Sequence, residues 1–471
     1  MKNKKLRVLL LFIGYFATFH IALYTRCSSI QLNTPVINEA EETWVTVFVH
    51  GIMSIQPHLT LHNIARFIRD DVQDTMYSKT VEYMRMDPYF YLNQAMQEFG
   101  LKKIDDTDLL PGNASSAIAN LYDQVTKMVA PNTTNHYYTF GWSGLLSPSS
   151  RYQDSIRLLQ ELTAELKEKF WDHNIFPKIR LIGYSHGGNV CLNIAAAKNN
   201  TDPESLLSVD ELILVGVPSQ TETDYLSADA IFKKIYHVLS RADRIQRIDF
   251  FSFNRIFSRR YFRGNHHFKV PKKLMQIEIK INRRRKTKCD LTDDIIAQAL
   301  NFKDSGIVSG RSHLFTNCSP GHLEFWFFGW SPKHYRSNFA LRPLPVFVIL
   351  PYVIQCINSA QSQFKTPYPI IADIRPEFNS MVIKQRKRRK HTEIFQFLSQ
   401  EQLDVLKHTA NQVAIDSSFE DEYEQHVEDA FKKAKKYFKY DYRRSRSGTS
   451  KRNRRLRKRN LTVKQQLLQK T

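Results

Sequence analysis

The sequence predicts an α/β fold, with a mostly parallel central sheet and helices on both faces. Three observations predict it. Short apolar, β-branched runs read as buried strands, among them Thr43–Val49, Lys178–Ile182, Glu211–Val215 and Lys234–Leu239. Segments with helical spacing lie between them, long enough to act as crossovers between parallel strands. At Gly183-Tyr184-Ser185-His186-Gly187-Gly188, a strand turns directly into a helix through a glycine-rich corner.

The chain has 471 residues, room for one large α/β domain with appendages, or for two domains. Lys and Arg total 68 against 46 for Asp and Glu, a net charge of +22, but much of the excess sits in two runs near the C-terminus. Overall charge therefore says little about the core domain. The cysteines, Cys27, Cys191, Cys289, Cys318 and Cys356, are scattered and form no Cys-x-x-Cys or Cys/His cluster, so no metal site is expected. A Cys289–Cys318 disulfide stays open for an extracytoplasmic domain.

Taken in order, Lys2, Lys4, Lys5 and Arg7 precede an apolar run from Val8 to Tyr24, and Glu39, Glu41 and Glu42 follow it. This asymmetry favours a cytoplasmic N-terminus. The expectation is a signal anchor within residues 1–30, a single-pass membrane attachment that leaves the rest extracytoplasmic. A cleaved signal peptide, and secretion, is the alternative. Thr43–Val49 then forms a strand that runs into His50-Gly51-Ile52-Met53. Leu59–Tyr77 has helical spacing, and Val81–Met84 looks like another strand. Residues 88–131 break the alternation and read as a cap insertion with a helix over Ala114–Met128. Tyr137–Gly144 is a strand leading into a loop, and Ser150–Phe170 is an amphipathic helix.

Beyond the corner, Glu211–Val215 ends in Gly216-Val217-Pro218. A helix is expected near Ala228–Lys233, then the strand Lys234–Leu239. Leu274–Ile281 alternates cleanly and reads as an outer strand. Leu344–Ile357 is apolar and interrupted by Pro345 and Pro351, so it is read as core rather than as a spanning helix, with a membrane-facing flap near the site as the alternative. The main domain is placed at residues 40–380. A helical extension over 381–442 opens with the basic run Lys384–Lys390, and a basic, disordered tail comes after it over 443–471. Such a tail would contact polyanions through counterion release.

The corner carries chemistry. A serine on a tight Gly-x-Ser-x-Gly turn is held in a strained backbone, with the positive end of the next helix beside it. That arrangement suits a nucleophile in acyl transfer. The N–H of His186 and that of Ile52, or of Met53 if the loop winds differently, are the candidate oxyanion donors. His50 is read as a structural histidine that holds this loop. An acid on the loop after a parallel strand suits the carboxylate of a triad, which points to Asp243; Asp224 and Asp249 are weaker candidates. Capping of the next turn is the competing role for Asp243. The base is placed at His322 in Pro320-Gly321-His322-Leu323, with His313 as the alternative.

The His50-Gly51 strand end, the Gly183–Gly187 corner and the order Ser185, Asp243, His322 resemble the α/β-hydrolase superfamily, in particular its lipase- and esterase-like branches. The resemblance covers roughly residues 43–330. It implies an ester, lipid-ester or thioester substrate, cleaved through an acyl-enzyme without a metal or organic cofactor. Substrate-binding residues are not assigned. The alternative from another class is a catalytically silent hydrolase fold that binds polyanions or a partner through its basic tail.

Overall fold

The computed structural model describes residues 42–52, 70–93, 96–104, 114–247, 258–264, 268–284, 315–329, 339–360, 364, 369–385, 388–414 and 419–448. The apolar run Val8–Tyr24, the alternative base His313, Met53, Asp249, Cys27, Cys289 and residues 449–471 lie outside these. By its contacts the chain divides into Met1–Glu41 and Glu42–Thr471, and every described residue belongs to the second unit.

Its strands are β1 (Glu42–Val49), β2 (Gly100–Lys103), β3 (Thr133–Gly141), β4 (Lys178–Tyr184), β5 (Val209–Val215), β6 (Phe232–Leu239), β7 (Leu274–Arg284), β8 (Phe315–Asn317), β9 (Ile370–Arg375), β10 (Ser380–Gln385) and β11 (Arg388–Gln396). Its helices are α1 (Met76–Arg85), α2 (Pro88–Leu92), α3 (Ala114–Val129), α4 (Pro148–Lys169), α5 (His186–Thr201), α6 (Thr221–Asp224), α7 (Leu350–Ala360), α8 (Gln400–Asn411) and α9 (Phe419–Gly448). The strands form one mixed sheet in the order β11-β10-β9-β7-β6-β5-β4-β1-β3-β2, with β8 pairing β7. From β3 to β9 every neighbouring pair is parallel. The fold class is therefore α/β.

Both faces of the sheet are covered, which explains the continuous apolar runs. Phe48, Ile182, Ile213 and Val215 face one core with α3 and α7, through residues such as Leu121, Tyr122, Val353 and Ile357. Val47, Leu181, Leu212 and Leu214 face the other with α4 and α5, through Leu158, Leu162, Val190 and Ile194. β1 pairs β3 on one side and β4 on the other, so the direction of winding reverses there. A crevice at the carboxyl ends of strands flanking such a reversal is where open α/β sheets place ligands.

Four expectations are corrected. Val81–Met84 belongs to helix α1, not to a strand. Thr75 and Ser78 form a reciprocal capping box there, and Tyr77, Thr80, Val81 and Met84 bury one helical face. The helix expected over Ala228–Lys233 ends earlier: α6 and a 3₁₀ turn over Tyr225–Ala228 precede β6, which already begins at Phe232. β7 is interior, because β9 adds to it in parallel. Its polar alternation misled because Gln276 and Glu278 are buried against partners: Gln276 accepts from the Phe262 N–H at 2.9 Å and Glu278 from the Tyr261 hydroxyl at 3.0 Å. Finally, residues 381–385 and 388–396 are not helical. They form the hairpin β10–β11 that extends the sheet, with Met381 and Ile383 buried at period 2.

The expected cap stretch, 88–131, supplies α2, the edge strand β2 and the crossover helix α3, whose apolar face is in the core. Leu344–Ile357 is core, as a 3₁₀ turn running into α7. Helix α9 continues to Gly448, past the expected limit of the extension. Among the described residues no helix is long and apolar enough to cross a membrane. Cys318 is buried, with its sulfur toward the Thr316 carbonyl.

Candidate active site

Ser185 sits between β4 and α5 with φ 51° and ψ −131°, a conformation that costs an L-residue energy and persists only when its surroundings impose it. Two observations show how they do so. The Ser185 N–H donates to the Val215 carbonyl at the end of β5, at 2.9 Å. A β-carbon on Gly187 would stand 2.1 Å from the His50 carbonyl oxygen, so only glycine lets α5 begin this close to the end of β1.

Ser185 Oγ lies 3.0 Å from His322 Nε2, and His322 Nδ1 lies 2.8 Å from Asp243 Oδ2. All three residues are buried. The network assigns the tautomer: Nδ1–H donates to the carboxylate, and Nε2 accepts from the serine hydroxyl. Asp243 lies a short loop beyond β6 and is wholly enclosed. Its other oxygen, Oδ1, accepts the backbone N–H groups of Ile245 at 2.9 Å and Gln246 at 3.3 Å. One carboxylate oxygen thus faces His322 while the other caps the turn that follows. Arg260 also donates to the Asp243 carbonyl. Asp224 instead accepts from Ser219 Oγ at 2.9 Å.

His322 is held from below. The Tyr184 hydroxyl donates to its carbonyl at 3.0 Å, and the Tyr184 ring lies 5.0 Å from its imidazole and stacks on the indole of Trp326 at 5.1 Å. Glu324, on the turn just past His322, is buried, and burial raises its carboxyl above the ordinary range.

The loop after β1 passes very close to Ser185. A β-carbon on Gly51 would stand 2.9 Å from that of Ser185. Ile52 comes next, half-buried. His186 opens α5, and its ring is turned to Arg151, whose Nη1 lies 3.3 Å from His186 Nδ1. The backbone of His186 lies beside Ser185, while its ring is engaged elsewhere. His50 is fully buried, and burial together with the Arg85 guanidinium holds its imidazole well below the usual histidine range. Its Nε2 faces Arg85 and the Trp142 N–H, the latter at 3.3 Å, and its Nδ1 reaches the Gly51 carbonyl at 2.6 Å. Trp142 Nε1 donates to the His50 carbonyl at 2.7 Å.

Arg85, Gln97, Trp142 and Tyr184 surround the site, and nothing in the sequence marks them as site residues. Arg85 and Gln97 stand in stretches without a motif, and only folding brings them to His50. Tyr184 is visible only as the variable residue before the serine. Among the described residues no cluster of His, Cys, Asp and Glu suits a metal ion.

No family model matches the chain, and no curated protein does. Among solved structures it is similar to a crystal structure of an uncharacterized protein from Pseudomonas aeruginosa, at 11% identity and a TM-score of 0.25. That match covers 90% of this chain and 56% of the other, so this chain spans little more than half the length of its structural neighbour.

Proposed function

We propose that this protein is a serine hydrolase of the α/β-hydrolase type that cleaves a carboxylic ester, lipid ester or thioester. The observation that carries the reading is the Ser185–His322–Asp243 relay, with contacts of 3.0 and 2.8 Å, built at the carboxyl ends of parallel strands around a serine at positive φ. In this mechanism Ser185 Oγ attacks the acyl carbon while its proton passes to His322 Nε2. Asp243 orients the imidazole and stabilises its cationic form. The N–H groups of His186 and Ile52 hold the oxyanion. Collapse of the tetrahedral intermediate expels the leaving oxygen or sulfur, which takes the proton from Nε2. Water, deprotonated by the same nitrogen, then attacks the acyl-enzyme and releases the acid and free Ser185.

A fluorophosphonate probe tests the proposal, because it reacts with an activated serine without knowledge of the substrate. Wild-type protein is expected to label, and folded Ser185→Ala and His322→Ala variants are not. Folded wild-type protein that stays unlabelled would sink the proposal and leave the silent, binding-only fold as the better reading.

A further inference from the structure

We infer that Gln97 is a positioning residue for the loop beside Ser185: it fixes the segment whose backbone N–H holds the oxyanion. The inference rests on the hydrolase reading. β1 ends at Val49, and the next residue, His50, starts the loop. The N–H of His50 donates to Gln97 Oε1, at 3.1 Å, across 47 residues of chain. Gln97 is 1% exposed, so this bond is made away from water, where an unmatched donor is costly.

The acceptor is itself held from several directions. Gln97 and Glu98 lie so close to β3 that a β-carbon on Gly141 would meet the Glu98 carbonyl oxygen at 2.0 Å. The N–H of neighbouring Met96 donates to the Phe90 carbonyl at 2.9 Å, and Met96 is fully buried. Arg85 donates to the Gln97 carbonyl, and the same guanidinium reaches the Trp142 carbonyl and His50 Nε2. Burial lowers Arg85 to about 9, which leaves it a cation at neutral pH. Arg85 and Gln97 together therefore grip His50 at its ring and its N–H. Gly51 and Ile52 come directly after it, so a shift of His50 displaces the donor that must meet the oxyanion. Such a donor matters in the transition state and little in initial binding, so its displacement should slow reaction without weakening encounter.

The test compares fluorophosphonate inactivation of the wild type, Gln97→Met, Gln97→Asn and Gln97→Glu. Met keeps the length but offers no acceptor. Asn keeps the amide but sets it one methylene short, and covers the case in which the Met variant does not fold. Glu restores an acceptor oxygen beside the Arg85 cation. The expected result is a maximal inactivation rate lowered roughly tenfold to a hundredfold in the Met and Asn variants, at or below the roughly 10²–10³-fold that outright loss of an oxyanion donor costs, because the donor is displaced rather than removed. The half-saturating probe concentration should be unchanged, and the Glu variant should recover to within about threefold. Folded Met and Asn variants that react as fast as wild type would overturn the inference, and so would a Glu variant as slow as Met. A wild type that does not label overturns the hydrolase reading itself, a different result from a labelled wild type indifferent to position 97.

Discussion

Among the buried histidines near the carboxyl ends of the parallel strands, His237, His50 and His322 are set apart by their neighbours. His237, on β6, is enclosed by neutral groups: its Nε2 lies 3.2 Å from the Val217 carbonyl and its ring lies edge-on to Phe262 at 4.9 Å. Burial lowers it to about 4. His50 has burial plus the Arg85 cation, both of which disfavour its charged form. His322 is also buried, but it meets a carboxylate on one nitrogen and a hydroxyl on the other. Burial disfavours the charged form at His237 and His50; of the three, His322 alone faces a carboxylate, that of Asp243. The neighbouring charge separates them: a carboxylate beside His322, a cation beside His50 and neutral groups around His237.

The sharpest way to break this contrast is Asp243→Asn, which keeps the shape but removes the charge and the acceptor that select the His322 tautomer. Fluorophosphonate labelling is expected to slow by about 10³–10⁴-fold with the fold retained. A loss under about tenfold would mean that His322 does not depend on this partner. The next largest effect is expected from Arg85→Met. It leaves the carbonyls of Gln97 and Trp142 without their donor in a buried place, so stability should fall by about 2–4 kcal/mol in urea titrations. Labelling should slow as well, because the His50 loop loses its clamp. Unchanged stability would show that Arg85 is not the tie between these segments.

The smallest effect concerns pH. Unfolded His237 takes its proton near 6.5, while the folded protein excludes it until about pH 4. Between those values the unfolded state binds more protons, so stability falls as pH falls, and above about pH 7 this group contributes no slope. His237→Gln should reduce that acid-side loss by up to about 3 kcal/mol, read from denaturant titrations between about pH 7 and pH 4. Equal pH profiles for the variant and wild type would show that the unfavourable protonation lies elsewhere, with His50 the next group to replace.

Where the sequence misled, the missing information was what covered a face. Gln276 and Glu278 look solvent-facing in a strand that alternates, yet Tyr261 and the Phe262 backbone cover them. Val81–Met84 is too short a window to show helical periodicity; the buried set from Tyr77 to Met84 shows it. In the stretch after residue 380, apolar residues at period 2 were masked by a basic run. At the candidate site, Ser185, Asp243 and His322 could be named in advance because each lies just past a recognisable strand, corner or glycine turn. The preference for Oδ2 over Oδ1 could not, because it depends on where Ile245 and Gln246 present their N–H groups.

The sequence by itself determined the α/β class, the strand-to-helix corner and the strained serine within it, because local apolar runs and glycine spacing act over a few residues. The tertiary structure alone decided the sheet order, the reversal at β1, and the meeting of Ser185 with His322 across 137 residues. It also decided that Gln97 and Arg85 belong beside the loop after β1. Those contacts join segments that share no local signal. They depend on which buried donors and acceptors the packed sheet brings into register, and a polar group in a dry interior finds its partner only once the chain has closed around it.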